Sequence, residues 1–224
     1  MNSRFGPVKG IGVFGGTFDP VHFGHLRAAQ EAREILELDD FRLLPAGTPP
    51  HRAKTMASAK HRLAMLQLAV SNYPGFRIDD REIRRKGNSY MVDTLTQIRA
   101  EEGDSALVLI IGQDAANHLD SWHQWRRIFD LAHIAIMRRP NSSYSWSGEL
   151  REQMQKRLGL GPEQLEGTAA GKVFPLEITQ LAISSTGIRH QLEGGRSPRF
   201  LLPDEVITYI QKNNLYQGVA GEVA

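Results

Sequence analysis

Gly15-Gly16-Thr17-Phe18-Asp19-Pro20-Val21-His22-Phe23-Gly24-His25 is the stretch on which the reading of this chain turns. It separates an apolar run over 10–15 from a segment in which Leu26, Ala29, Ala32, Ile35 and Leu36 recur every three or four residues. The first pattern predicts a strand, and the second predicts a helix over 23–38 with one buried stripe. Strand, tight turn and helix together open a βαβ unit. In an open parallel sheet, ligands lie beyond the carboxyl ends of the strands, so a nucleotide would sit at this turn. Gly15 and Gly16 can bring bare backbone N–H groups against phosphate oxygens, Thr17 and Phe18 follow in the same turn, and Gly24 permits a close approach. His22 and His25, three residues apart at a helix start, project on nearly the same face and can both donate hydrogen bonds to one triphosphate. Zinc suits the pair poorly, because no third ligand is near and a helix N-terminus favours an anion. On composition alone a tight turn with two surface histidines remains an open alternative.

Working outward, apolar runs rich in β-branched residues alternate with helical patterns along the whole chain. Strands are expected over 41–45, 76–79, 106–111, 133–137 and 172–178, and helices over 58–72, 90–101, 149–158, 184–192 and 204–213. A less regular helical stretch occupies 114–129, and the stretches 46–57 and 141–148 read as exposed loops. This order predicts an α/β fold, an open parallel sheet flanked by helices, with small helical elements at the C-terminal end and the whole chain, 1–224, forming one domain.

A competing pattern lies just upstream. Gly10-Ile11-Gly12-Val13-Phe14-Gly15 matches the G-x-G-x-x-G spacing of dinucleotide-binding proteins, but that mechanism needs a helix to begin at once after the glycines. Pro20 delays the helix to about Phe23, so these glycines are expected to lie inside the first strand.

Composition narrows the function classes. Of 224 residues, 41% are hydrophobic and 23% charged, which excludes global disorder and fibrous repeats. Cysteine is absent, so disulfides, thiolate nucleophiles and cysteine metal sites are excluded. The longest apolar run, 106–111, is far too short to span a membrane, and the N-terminus lacks the apolar core of a signal peptide. A cytoplasmic protein without membrane association is expected. The net charge of +2 and pI near 9.0 come without any five-residue lysine and arginine block, so small anionic ligands are expected rather than nucleic acid.

A second constellation, Ile183-Ser184-Ser185-Thr186-Gly187-Ile188-Arg189, reads as a helix start after an extended segment. Ser184 or Ser185 is a good N-cap, the first-turn N–H groups can meet an anion, the hydroxyls of Ser185 and Thr186 add donors, and Arg189 lies one turn in. By itself the segment is equally an ordinary capped helix with a surface arginine.

Together the two stretches resemble the nucleotidylyltransferase superfamily. Its G-G-x-F-x-P-x-H-x-G-H signature is matched at every fixed position by residues 15–25, and its C-terminal I-S-S-T-x-x-R signature by residues 183–189. Three further segments resemble the bacterial nicotinate mononucleotide adenylyltransferases: Pro49-Pro50-His51-Arg52, Ser89-Tyr90-Met91-Val92-Asp93-Thr94-Leu95, and Ile111-Gly112-Gln113-Asp114 running on to Trp122. The resemblance implies a Rossmann-like fold and adenylyl transfer from ATP to nicotinate mononucleotide, releasing pyrophosphate without a covalent enzyme intermediate. It implies His22, His25 and Arg189 as the catalytic residues, and Gly15, Gly16, Thr17, Phe18, Gly24, Gly112, Asp114, Ser184, Ser185 and Thr186 as the ATP and phosphate site. Trp122 would stack on the pyridine ring, and Asp114 would accept from ribose hydroxyls. His51 and Arg52 would grip the acceptor phosphate, while Met91 and His123 would contribute near the ring carboxylate. Family members more often carry Thr and Tyr at those last two places, so a backbone contact is expected there. Mg2+ would be held mainly through substrate phosphates, with no dedicated protein metal site. Nicotinamide mononucleotide or pantetheine phosphate as acceptor, a non-catalytic nucleotide-binding module, and homo-oligomer formation stay open. The remaining histidines, His61, His118, His133 and His190, are expected to be structural, and Arg138, Arg139 and Pro140 to end a strand near the ligand.

Overall fold

Side chains alternate across the first strand and set the layers around it. Ile11 and Val13 pack on one face and Phe14 on the other, all nearly or wholly buried. The computed structural model describes residues 8–47, 55–138, 143–159, 161–165 and 167–217. Within them the strands are β1 (Val8–Gly16), β2 (Leu38–Pro45), β3 (Arg77–Ile78), β4 (Ala106–Gly112), β5 (His133–Arg138) and β6 (Val173–Glu177). They form one sheet in the order β3-β2-β1-β4-β5-β6, with every pairing parallel. The chain steps outward from β1 through β2 to β3, then returns to lay β4 on the other side of β1. Connections therefore diverge between β1 and β4, and a crevice opens at their carboxyl ends.

Helices cover both faces. On one side lie α1 (Phe23–Ile35), α2 (Ala59–Val70), α8 (Ser185–Glu193) and α9 (Asp204–Lys212), burying Ala29, Ala32, Leu66, Ile188, Val206 and Ile210 with Phe14 and Val108. On the other lie α4 (Met91–Glu102), α6 (Trp125–Leu131) and α7 (Gly148–Arg157), burying Leu95, Ile98, Ile128, Phe129 and Met154 with Val13 and Leu109. Two short helices, α3 (Arg81–Arg84) and α5 (Gln113–Asn117), complete the set. The open parallel sheet with helices on both faces and two closing helices is the expected Rossmann-like α/β fold.

The glycines at 10 and 12 do lie inside β1. A Cβ on Gly12 would come within 2.8 Å of Leu38 and 2.9 Å of Phe41, so these positions are glycine because neighbouring side chains fill their space.

Three departures from expectation are the clearest. The first helix stops at Ile35 rather than 38, because Glu37 takes a left-handed φ of 48° and turns Leu38 into β2, where it is buried. The stretch 114–129 is not one helix but α5, a 3-10 turn at Leu119–Ser121 and α6, broken where Trp122 extends and Gln124 adopts a φ of 50°. The short α3 carried no sequence signal of its own.

The amino ends of β4, β5 and β6 are tied by Arg99. Its guanidinium donates to the carbonyls of Leu131, Gly103, Ser105 and Ala169 at 2.6–3.2 Å, so carbonyls entering three strands share one cation. Beside it the fully buried His133 is satisfied on both ring nitrogens: Nδ1 accepts from the Lys172 N–H at 3.1 Å, and Nε2 lies 3.0 Å from the Thr168 carbonyl. Arg42, 1% exposed, is neutralised by Asp40 and Glu102.

Candidate active site

A cavity of about 740 Å³ lies beyond the carboxyl ends of β1, β4 and β5. Gly15 and Gly16 end β1 at its floor, Gly112 ends β4, and Met137 comes from β5. A Cβ on Gly16 would collide with the Phe18 ring at 2.8 Å, so that glycine lets the turn fold tightly over an aromatic plug. Phe18 is itself 1% exposed and meets the His25 ring edge-on, with centroids 5.0 Å apart. A Cβ on Gly112, by contrast, would meet nothing within 4 Å.

His22 is the N-cap of α1 and His25 lies in its first turn, so their rings fall on one side of the helix. The rings stack with centroids 3.8 Å apart and planes 28° from parallel. The Nδ1 atoms of both are buried and have no hydrogen-bond partner. Burial lowers the His22 pKa to about 4. Burial, reinforced by the neighbouring His22, drives the His25 pKa well below its ordinary value. The pair is therefore neutral at pH 7, two imidazoles held close because neither carries charge. Gly24 makes the stack fit, since a Cβ there would stand 3.0 Å from the His22 ring.

The amino end of α8 faces this pair across the cavity. Ser184 caps it, accepting from the Gly187 N–H at 3.1 Å, so the cap is Ser184 and Ser185 opens the helix. The Ser185 hydroxyl donates to the Pro20 carbonyl at 2.9 Å. Arg189 donates to the Asp19 carbonyl at 2.7 Å and to the Thr186 hydroxyl at 3.2 Å. Both signature stretches are thus bolted together across 165 to 170 residues of sequence. The uncommitted N–H groups of the first turn of α8 and the guanidinium of Arg189 make this wall electropositive.

The cavity brings together Gly15, Gly16, Thr17, Phe18, His22, Gly24, His25, Gly112, Asp114, Trp122, Ser184, Ser185, Thr186 and Arg189. Trp122, half-buried in the break before α6, is the tryptophan that reaches it, whereas Trp125 is packed in the core. Met91 and His123 do not line the cavity: the Met91 methyl abuts Gly15, and the exposed His123 has its ring 4.4 Å from the Tyr90 ring. His51 and Arg52, with Arg139 and Pro140, lie outside the described residues. Arg138 packs its guanidinium 5.4 Å from the Tyr144 ring centroid rather than lining the cavity. The other histidines make hydrogen bonds elsewhere, His61 with Tyr209, His118 with the Asp114 carbonyl and His190 with Glu193.

Sequence reasoning overlooked Asp19 and the segment Ile178, Thr179, Gln180 and Leu181, which also line the cavity. Asp19 occupies a free position of the first signature, and nothing in its neighbours marks it. The segment before Ile183 has no motif, and only its place between β6 and α8 brings it to the cavity.

The chain is similar to known proteins in sequence and in backbone. Residues 13–191 match the Cytidylyltransferase-like family model. The chain is 49% identical over 207 residues to the "Probable nicotinate-nucleotide adenylyltransferase" of Methylococcus capsulatus, covering 92% of this chain and 99% of that protein. It is 43% identical over 210 residues to the protein of the same name from Pseudomonas aeruginosa, covering 93% and 98%. The chain belongs to the nicotinate-nucleotide adenylyltransferase family. The backbone is likewise similar to a solved structure, the Plasmodium falciparum nicotinic acid mononucleotide adenylyltransferase complexed with NaAD. That likeness has a TM-score of 0.71 at 17% identity over 93% of this chain and 97% of that one, so it speaks for the fold. Both signature stretches fall within the matched residues 13–191 and line one cavity.

Proposed function

We propose that this chain transfers the adenylyl group of MgATP to nicotinate mononucleotide, forming nicotinate adenine dinucleotide and pyrophosphate in NAD biosynthesis. The observation that carries the site assignment is the neutral, stacked His22–His25 pair facing the amino end of α8 and Arg189 across one cavity.

In this reading the triphosphate lies between the two signatures. An unpaired buried acceptor is tolerated more readily than an unpaired buried N–H, so each ring keeps its proton on Nε2 and leaves Nδ1 bare. Each neutral imidazole then donates from Nε2 toward the α-phosphate. An acceptor phosphate oxygen needs no general base at neutral pH. It attacks the α-phosphorus in line, the new oxygen–phosphorus bond forms, and the bond to the bridging oxygen of the β-phosphate breaks. Thr186, the first-turn N–H groups of α8 and Arg189 take up the charge developing on pyrophosphate. Gly15, Gly16, Thr17 and Gly24 shape the phosphate wall, Asp114 accepts from ribose hydroxyls, and Trp122 stacks on the pyridine ring. The ring carboxylate is met by backbone N–H groups near Met91 and His123, and the acceptor phosphate by His51 and Arg52.

Mg2+ supplies charge neutralisation on the phosphates when bound. The donor set fits an ion carried by substrate: among the described residues no three His, Asp or Glu side chains converge, and Asp19 in the cavity wall is committed to protein donors.

Pyrophosphate release by the purified protein with MgATP, compared for nicotinate mononucleotide, nicotinamide mononucleotide and pantetheine phosphate, tests this. Preference for the nicotinate acceptor is expected. Preference for either other acceptor would discard the ring-site assignment, and silence with all three despite ATP binding would make the chain a nucleotide-binding module.

A further inference from the structure

Asp19 is 4% exposed, and its carboxylate receives only donors. Oδ1 accepts from the Tyr216 hydroxyl at 2.6 Å and the Ala57 N–H at 3.1 Å, and Oδ2 accepts from the Met56 N–H at 2.8 Å. Its own carbonyl takes Arg189. Next to it, the 1%-exposed Arg62 donates to the Thr17 carbonyl at 2.7 Å and to the Ala46 carbonyl at 2.7 Å. The glycine-rich turn is thus joined through one carboxylate and one guanidinium to the end of β2, the segment before α2, and the C-terminal segment after α9. Thr55 and Met56 line the cavity, so the wall they form hangs on Asp19. Tyr216 is 197 residues away in sequence and 6% exposed, and its phenol is far harder to ionise than usual because it is buried beside that carboxylate. It is a permanent donor.

We propose that Asp19 and Tyr216 are positioning residues of the adenylyl-transfer site, through which the C-terminal segment fixes both the Thr55–Met56 wall and the carbonyl that aims Arg189. The reaction assayed rests on the function proposed above. A carboxylate is required because three donors converge on two oxygens; an amide in its place would set an N–H group against a donor on one side. Purely structural tyrosine bonds exist nearby for comparison. Tyr209, on α9, makes one hydrogen bond to His61 on α2 at 3.0 Å, away from the cavity.

The test pairs Tyr216→Phe with Tyr209→Phe, each removing one tyrosine hydroxyl from the same part of the fold. Steady-state kinetics with MgATP and nicotinate mononucleotide, and amide hydrogen exchange of the unliganded proteins, are measured on both. Tyr216→Phe is expected to lower kcat/KM for the mononucleotide about tenfold and to speed exchange of the Met56 and Ala57 amides about tenfold, since their acceptor loses its anchor. Tyr209→Phe should change each by less than twofold. Equal behaviour of the two variants in both measurements would overturn the proposal. An inactive wild-type protein would refute the assigned reaction, while the exchange comparison would still decide the tether. Asp19→Asn provides the second variant: if it folds and keeps wild-type kinetics and exchange, the proposal also fails.

Discussion

The two ends of the parallel sheet both bury histidine, and they treat it in opposite ways. At the amino ends of the strands, His133 has a partner on each ring nitrogen, and the adjacent Arg99 satisfies four carbonyls at once. At the carboxyl ends, His22 is buried and His25 partly so, yet the Nδ1 of each is shut off from water and has no partner. A buried polar group without a partner costs stability, so one end of the molecule is built to hold together, whereas the other gives up stability at two rings that line the cavity. Substitutions at each end of the sheet test this contrast.

The largest effect is expected from His25→Ala. Removing one donor aimed at developing charge should lower turnover by roughly two to three orders of magnitude, about 3–4 kcal/mol of transition-state stabilisation. Stability should fall less than the loss of a packed ring usually costs, because the ring removed carries a buried Nδ1 without a partner. Steady-state pyrophosphate release and thermal melts measure both, and a turnover loss under threefold would remove His25 from the proposed mechanism.

Arg99→Ala should do the reverse. It orphans carbonyls entering three strands and costs about 2–4 kcal/mol of stability, while turnover per folded molecule stays within twofold. Denaturant titration beside kinetics separates the two readouts. A large drop in turnover at full folding would mean that the amino pole reaches the chemistry after all.

Neither pole was equally legible in the sequence. Gly15 to His25 and Ile183 to Arg189 are contiguous, and their chemistry can be read in order, so two walls of the cavity were visible in the sequence. The alternation of strands and helices and the parallel sheet followed from the apolar runs, whereas the order of the strands within the sheet did not. Arg99, the Asp19–Tyr216 bond and the Arg62 clamp were invisible because their partners lie far off in the chain and are backbone carbonyls or free signature positions. No periodicity or spacing marks a side chain that bonds a remote main chain. The break at 122–124 was missed for a similar reason: the apolar pattern continues through it, while the backbone extends at Trp122 and turns left-handed at Gln124.

That break yields the next prediction. If Trp122 stacks on the acceptor ring, Trp122→Ala should raise KM for nicotinate mononucleotide about tenfold, the scale of losing one aromatic stack, and leave KM for ATP within twofold. Trp122→Phe should restore most of the difference. Equal rises in both KM values would recast Trp122 as packing and blur the division between the cavity's two ends.

The smallest effect returns to the histidine that has everything it needs. Burial lowers the His133 pKa from its ordinary value, so the folded protein resists a proton that the unfolded chain accepts near pH 6.5. Between that pH and the lowered folded value the unfolded state binds more protons, and stability therefore falls as the pH falls, by at most about 1.4 kcal/mol per pH unit from this residue. The loss has a local cause, since a protonated ring would turn Nδ1 into a donor facing the Lys172 N–H. His133→Gln keeps one donor and one acceptor without a titrating proton. Its stability, measured by denaturant titration from pH 7.5 to 5.5, should decline less than that of the wild type, with the two curves converging or crossing toward the acidic end. His22 and His25 titrate in the same sense in both proteins and cancel from the difference. Parallel curves would show that the fully partnered histidine contributes nothing to the acid sensitivity of the fold, and would leave that sensitivity to the stacked pair in the cavity.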